Sequence, residues 1–395
     1  MQESSTPARS GIAAYPLEFT GSGGEYFRVW IVNLLLSIVT LGFYTPLARR
    51  RTAQYFYGHT LVADSPLEFT AQTKRMLIGF VLFVGLYAAF KFAAQTGQDT
   101  TVAVMLVGGA VLAPYFWASA MRFRFNATRW RGVRLQFTAS WGEVYRASWP
   151  AFAFAAVWVA GLALIGAYVP QSRGAASLRP ALAIGAICFV ASVLCAIRLE
   201  YNYKSLMVAR GRIGGQPGRW KPQFRDFVGI WLATLGVFVL GVALVSALLA
   251  ATLGGSFVLL KGMKGGGVMA VLVGIAVGVA TIFLLFLASA PARAYREARM
   301  FRLVWSNIGV SQVARFKCNL RPWRYVGLRI RNVLLSLLTL GFYRPFARVS
   351  EYRMKTDSVT LHVKGGLDQL AGQLAREEQA VGDAIADALG LELVG

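Results

Sequence analysis

A stretch of seventeen residues occurs twice in this chain, so any fold assigned to it must account for both copies. Asn33–Arg49 reads NLLLSIVTLGFYTPLAR and Asn332–Arg348 reads NVLLSLLTLGFYRPFAR. Twelve positions are identical, four more exchange one apolar residue for another, and only Thr45 against Arg344 changes character. Identity of that length marks an internal repeat, and overlooking a repeat mis-assigns the architecture. Each copy runs from an apolar stretch into Gly-Phe-Tyr-x-Pro. Gly42 and Pro46 in the first copy, and Gly341 and Pro345 in the second, therefore read as breaks that end a helix.

Composition sets the surroundings. The chain is 56 % apolar and 15 % charged, with a mean hydropathy of +0.51. It holds more unbroken apolar runs of about 20 residues, the length that crosses a bilayer core, than a soluble core could bury. Six runs stand out besides the repeat: Met76–Ala94, Thr101–Ala120, Trp149–Val169, Ala181–Ile197, Phe227–Leu253 and Gly267–Ala290. They pair across the short connections Gln95–Thr100, Pro170–Pro180 and Gly254–Gly266, which predicts three helical hairpins. The first residues show no basic region ahead of an apolar one, so no cleaved secretory signal is expected.

A net charge of +23 invites a nucleic-acid reading, but the placement of the cations argues otherwise. Of 41 Lys and Arg, 36 fall in residues 1–75, 122–148, 198–226 and 291–395. Cations retained on one side are the mark of cytoplasmic loops. The long segments and both termini are therefore expected in the cytoplasm, and no nucleic acid is required. Three hairpins leave both flanks on one side, so two repeat copies that each spanned would face opposite ways. Both are expected to dip into the cytoplasmic leaflet without crossing it, although Val29–Ala48 is long enough to span.

The fold expected is thus an all-α polytopic membrane protein. Six spans in three hairpins are flanked by two re-entrant or interfacial helices, with a small cytoplasmic β cap. The chain divides into a lead (1–27), the first repeat copy (28–48), a β segment (49–75) and the hairpins (76–290). A basic segment (291–331), the second copy (332–348), a strand segment (349–364) and an acidic amphipathic tail (365–395) follow. The cap is read from alternation in Val133, Leu135 and Phe137 and in Val359, Leu361 and Val363, from His59–Thr70 as two short strands, and from Phe301–Leu320 as a further hairpin. Pro16-Leu17-Glu18-Phe19-Thr20 recurs at Pro66–Thr70, with looser echoes at Leu135–Thr138 and Pro222–Phe224.

Parts for catalysis are scarce. His59 and His362 are far apart, three cysteines form no CxxC pair, and no P-loop, GxSxG or HExxH is present. No cofactor or metal is expected, and no enzymatic activity. Asp and Glu are absent from all six apolar runs, which disfavours an ordinary proton-coupled pathway. The basic-aromatic clusters are the remaining candidates, read either as an interface belt or as contacts to anionic head groups. Arg28, Arg122, Arg124, Arg129, Arg131, Arg321 and Arg324 are the candidate contacts. Glu18, Glu25, Glu68 and Glu143 are expected to pair with neighbouring arginines.

The duplicated N-x-L-L-S-x-x-T-L-G-F-Y-x-P-x-A-R carries a resemblance. So do the Glu25-Tyr26…Trp30…Asn33 lead and the Arg122…Asn126…Arg131-Gly132…Phe137 segment. Together with the three hairpins they resemble the YjgN-like family of bacterial inner-membrane proteins over about residues 16–363. The resemblance implies a multi-pass inner-membrane protein and supplies no activity, substrate or catalytic residue; the tail from Gly365 is expected outside the family pattern. The functional expectation is a non-enzymatic protein that binds or moves a lipid or small amphipathic solute, or supports envelope proteins. Its partners would be membrane lipids, envelope proteins or a second copy of itself. The alternative is a transporter or channel with a polar pathway.

Overall fold

A computed structural model describes residues 12–168, 175–262, 268–310 and 314–364. The chain is built from five units of one plan: a strand, a helical hairpin and a returning strand. The first is β1 (Ile12–Phe19), α1 (Gly23–Val39), α2 (Thr45–Gly58) and β2 (Thr60–Val62). The second is β3 (Ser65–Phe69), α3 (Thr73–Gln95), α4 (Asp99–Asn126) and β4 (Thr128–Trp130). The third adds a short helix: β5 (Val133–Phe137), α5 (Trp141–Ala147), α6 (Trp149–Tyr168), α7 (Ala175–Ala209) and β6 (Gly211–Ile213). The fourth is β7 (Gln216–Trp220), α8 (Phe224–Gly262), α9 (Val268–Asn307) and β8 (Ile308–Val310). The fifth is β9 (Ala314–Cys318), α10 (Pro322–Leu338), α11 (Arg344–Thr356) and β10 (Val359–Lys364).

The ten strands close into one antiparallel barrel in the order β1-β10-β9-β8-β7-β6-β5-β4-β3-β2. This corrects the expected all-α class with a small cap. The cap is a complete barrel to which every unit contributes two strands, and closure leaves no edge strand open to mispairing. Because neighbours are antiparallel, all odd strands run one way. All five helical hairpins therefore leave one rim, and the described strand turns, with Ile12 and Lys364, lie at the other. Ile12 pairs directly with Lys364.

Local chemistry explains the turns. Ala63-Asp64, Arg131-Gly132 and Gly214-Gly215 join strands through two residues, all with positive φ. That geometry matches the right-handed twist of hairpin strands. Gly218 is required for another reason: a Cβ there would lie 2.2 Å from the Val208 carbonyl, so only glycine lets the end of α7 seat on β7.

Among the described residues, five helical stretches are long and apolar enough to cross a membrane: Thr73–Gln95, Asp99–Asn126, Trp149–Ala167, Arg179–Ala209 and Phe224–Ala247. The sixth expected run, Gly267–Ala290, falls on the first half of α9. Most side chains there lie outside the described residues, as do much of the two connections at 170–180 and 254–266 and all of the tail 365–395. These helices expose large apolar side chains such as Phe83, Val107, Val159 and Leu240, a surface that in water would be a liability. Gly274 and Gly278, which have GxxxG spacing, would meet nothing within 4 Å if given a Cβ. The close helix contact is elsewhere: Gly161 of α6 accommodates Cys188 of α7, whose sulfur would lie 2.4 Å from an added Cβ.

Both repeat copies fold into tight helix–turn–helix hairpins with the same bonds. Gly42 (φ +91) and Gly341 (φ +94) each donate 2.7 Å to a serine carbonyl, of Ser37 and Ser336. Thr40 and Thr339 each donate 2.7 Å to a carbonyl one turn back and accept 3.0 Å from the amide of Tyr44 or Tyr343. The tips are apolar and outermost, with Leu41 90 % and Leu340 92 % exposed. The repeat is also longer than the sequence discloses. The same offset that aligns Asn33 with Asn332 aligns β1 with β9 and β2 with β10.

Two expectations shift in register. Phe301–Asn307 continues α9 rather than forming a strand, so the hairpin is β8–β9 alone. The fourth lead-in is Pro217-Gly218-Arg219-Trp220 in β7, because Pro222–Phe224 already opens α8.

Candidate functional site

Alternate strand residues face opposite sides of the sheet, and register defines which ones face inward. Each unit supplies an inward pair: Leu17 with Val62, Leu67 with Trp130, Leu135 with Ile213, Gly218 with Val310, and Phe316 with Leu361. Eight strands enclose a space that side chains just fill; ten leave room. A cavity of about 610 Å³ remains, lined by nine of these ten residues together with groups from the helix ends. Tyr57 (α2), Arg124 (α4), Met207 (α7), Trp305 (α9), Tyr352 and Lys355 (α11) form its helix-side mouth. The lumen is thus apolar below and polar at the rim that faces the helices.

Three further cavities lie among the helices, two of them adjoining this mouth. The largest, about 950 Å³, lies between α1, α9, α10 and α11, with Trp30, Arg293, Glu297, Arg329, Asn332, Arg344, Arg348 and Glu351 in its wall. A second, about 530 Å³, shares Arg293, Glu297 and Arg329 with it and Met207, Phe301 and Trp305 with the lumen. A third, about 520 Å³, lies between α1, α2 and α11 and shares Tyr57, Arg124 and Tyr352 with the lumen. Across the four the charged lining comprises Arg49, Arg124, Lys204, Arg293, Arg296, Arg329, Arg344, Arg348 and Lys355 against Glu200, Glu297 and Glu351. Nine cations face three carboxylates, so the chamber attracts anions.

The three carboxylates are all engaged. Glu351 pairs with Arg329 and accepts 3.0 Å from the Asn332 amide. Glu297 pairs with Lys355 and accepts 2.9 Å from the Tyr325 hydroxyl. Glu200 meets Lys204 at 3.1 Å, Arg296 at 3.5 Å and the Trp231 indole at 2.9 Å. Burial pushes the Glu297 carboxyl upward, yet the Lys355 bond and charge and the Tyr325 hydroxyl together hold it below the usual carboxylate range. Tyr325 is pushed up, first by burial and then by the Glu297 charge, and stays a donor. Arg348 donates 3.1 Å to Tyr26 and lies 5.2 Å over Phe56. Arg49, Arg124 and Arg344 have no carboxylate partner among the described residues.

The seven arginines singled out in the sequence are dispersed. Arg124 alone lines the chamber. Arg122 donates 2.6 Å to the Ala139 carbonyl and stacks 3.8 Å from the Trp141 ring, so it ties α4 to α5. Arg129 stands opposite Arg134 on the barrel wall. Arg131 sits in a turn at the far rim and donates 3.1 Å to the Ala63 carbonyl. Arg28, Arg321 and Arg324 are exposed at the starts of α1 and α10. Of the glutamates, Glu143 pairs with Arg210 and Glu68 lies opposite Arg129. Glu25 instead completes a capping box with Ser22. His59 packs on Tyr55 and Phe19, away from the cleft that Glu143 lines.

Asn33, Asn332, Arg49 and Arg348 were not singled out, although the repeat carries all four. Glu297 and Lys355 had no sequence signal: each is one charged residue in a cation-rich segment.

A family described as "Bacterial protein of unknown function (DUF898)" matches residues 14–388. The match takes in most of the acidic tail, which corrects the expectation that the tail falls outside the family pattern. Similar proteins include "Inner membrane protein YjgN" of Escherichia coli O157:H7, 26 % identical over 134 residues, or 34 % of each chain. The protein of that name from Salmonella typhimurium is 25 % identical over 151 residues, 38 % of each chain. That of Escherichia coli K12 is 26 % identical over 129 residues, 33 % of this chain and 32 % of its own. The aligned stretches thus span about a third of these relatives' length. No solved structure matches.

Proposed function

This chain belongs to the DUF898 family, the YjgN-like bacterial membrane proteins of unknown function, and from that premise we propose a non-enzymatic inner-membrane protein that binds or moves an anionic amphipathic molecule. The barrel lies in the cytoplasm. The α3–α4, α6–α7 and α8–α9 hairpins cross the bilayer, and the α1–α2 and α10–α11 hairpins re-enter its inner leaflet. Both termini are cytoplasmic. Support for this orientation comes from the distribution of cations, from the pairing of Ile12 with Lys364 and from the exposed apolar tips Leu41 and Leu340.

The observation that carries the reading is the chamber at the junction of helices and barrel. Its walls hold nine cations to three carboxylates, and its largest part is bounded by one of the repeat hairpins. A basic residue near an anionic surface contributes about 1 kcal/mol of attraction, so the chamber favours lipid head groups over neutral solutes. Native mass spectrometry of the detergent-purified protein tests it: retained anionic lipid is expected, and a lipid-free protein with no flux in vesicles overturns the reading.

A transporter or channel is the second reading. It is favoured by the residues common to adjoining cavities, Arg293, Glu297 and Arg329 on one side and Met207 and Trp305 on the other, which set the cavities side by side from polar to apolar. Ion or solute flux in proteoliposomes distinguishes it from simple binding.

A further inference from the structure

The cavity between α1, α2 and α11 combines two features. Arg49, Arg124 and Arg348 line it, and no carboxylate does. Asn33 also lines it, 6 % exposed; its amide nitrogen donates to the Ala48 carbonyl at 3.4 Å, while its Oδ1 accepts from nothing among the described residues. The bond to Ala48 fixes which way the amide points, so the free group is an acceptor. A buried, unused acceptor beside three arginines calls for a ligand that brings both negative charge and a hydrogen-bond donor. The same cavity adjoins the apolar barrel lumen, with Arg124, Tyr57 and Tyr352 in the walls of both, and the lumen's volume of about 610 Å³ lies in the range of small-molecule sites.

We propose that this cavity and the lumen form one binding site for a single-chain anionic glycerolipid. Arg49, Arg124 and Arg348 hold the phosphate, Asn33 Oδ1 accepts from a head-group hydroxyl, and the acyl chain enters the barrel among Leu67, Leu135 and Trp130. The site deepens the reading of an amphiphile-binding protein and rests on it. The phosphate suits a forked guanidinium, which presents paired donors to its oxygens. The chain suits a lumen whose strand residues, apart from Thr60 and Thr128, are aliphatic or aromatic.

The test is equilibrium binding of radiolabelled probes to the full chain in phosphatidylcholine nanodiscs, with empty discs as baseline. The probes are 1-myristoyl lysophosphatidylglycerol, myristate, 1-myristoylglycerol and glycerol phosphate. Lysophosphatidylglycerol is expected to bind at least tenfold tighter than each of the others, which lack hydroxyl, charge or chain in turn. Arg124→Gln, at an exposed helix end, is expected to weaken it tenfold or more, and Leu135→Trp to block the chain. Equal binding of 1-myristoylglycerol, or unchanged binding in Arg124→Gln, overturns the site. Phospholipid retained on the same preparations is measured alongside. If retention persists while the probe fails to bind, only this site falls; if both are absent, the wider reading falls too.

Discussion

Asn33 and Asn332 make the same hydrogen bond from the two ends of the chain. Each donates its amide to the carbonyl of an alanine fifteen residues on, 3.4 Å to Ala48 and 3.3 Å to Ala347. The bond clamps the two arms of each repeat hairpin, which explains why asparagine stands in both copies. The copies are not equal, because the Asn332 amide nitrogen also lies 3.0 Å from the Ser350 hydroxyl and from the Glu351 carboxylate, so its two protons are shared among three acceptors. Asn332→Leu therefore strands buried acceptors and is expected to cost about 1–3 kcal/mol, against about 0.5–1.5 kcal/mol for Asn33→Leu. Thermal unfolding of both variants in one detergent checks the order; a larger loss at Asn33 would refute the account.

The hairpin turns give a second expectation. Gly42 and Gly341 hold φ near +91 and +94, a region that side chains with a Cβ enter at about 1–2 kcal/mol. Leu41 and Leu340 already sit at φ +48 and +50, so each turn carries one such residue before any substitution. Gly341→Val and Gly42→Val should each lower the unfolding temperature by several degrees, and the double variant by roughly the sum, since the turns share no partner. Unchanged melting in either single variant would show that the turn does not need its left-handed residue.

Much of this arrangement was legible in the sequence, and what was hidden was hidden for a physical reason. Apolar runs, the clustering of cations and the doubled segment with its glycine and proline break could be read because each rests on a long or chemically specific signal. The barrel could not. Thr60–Val62 is legible within the His59–Thr70 pair, but the returning strands Thr128–Trp130, Gly211–Ile213 and Ile308–Val310 are three residues each, too short to display a period of two. Partners such as Leu67 and Trp130 stand at opposite ends of a transmembrane hairpin. Phe301–Asn307 misled because aromatic and apolar residues suit a buried helix end as well as a strand. Of the chamber, only Arg124 was foreseen. The others are positions at which one cation or amide meets residues far away in sequence, as Lys355 meets Glu297.

That pair sets a pH dependence. Glu297 lies beyond the apolar part of α9, and its carboxyl is held below its ordinary value of 4.5. Near that value the unfolded chain binds more protons than the folded one, so stability rises with pH there. The contribution is complete above about pH 4.5 and is lost as pH falls through the lower folded value. Glu143 titrates in the same direction, first because its carboxylate accepts from the Ser140 amide, and also through Arg210. Melting temperatures should therefore be level in this respect from pH 7 to 5 and fall below. Glu297→Gln is expected to be less stable at pH 7 and to show a shallower acid limb; an acid limb as steep as the parent's would exclude the pair as its source.

The orientation makes the most direct prediction. All five helical hairpins leave one rim of the barrel, whereas Ala63-Asp64 and Arg131-Gly132 turn at the other. If the barrel is cytoplasmic, a cysteine at Asp64 must be shielded from a membrane-impermeant maleimide added to intact spheroplasts and must react once the membrane is opened. A cysteine at Gln98, between α3 and α4, must react from outside in intact spheroplasts. The parent cysteines do not confuse the assay, since Cys188 and Cys318 are buried and Cys195 lies on α7 within a candidate span. Cysteines at Leu41 and Leu340 complete the set. A re-entrant tip embedded in the inner leaflet should resist the reagent from both sides, whereas labelling of Leu41→Cys from outside would mean that the first hairpin crosses. The two tips make the same turn bonds, so they must give the same answer; different labelling would break the equivalence on which the five-unit plan rests.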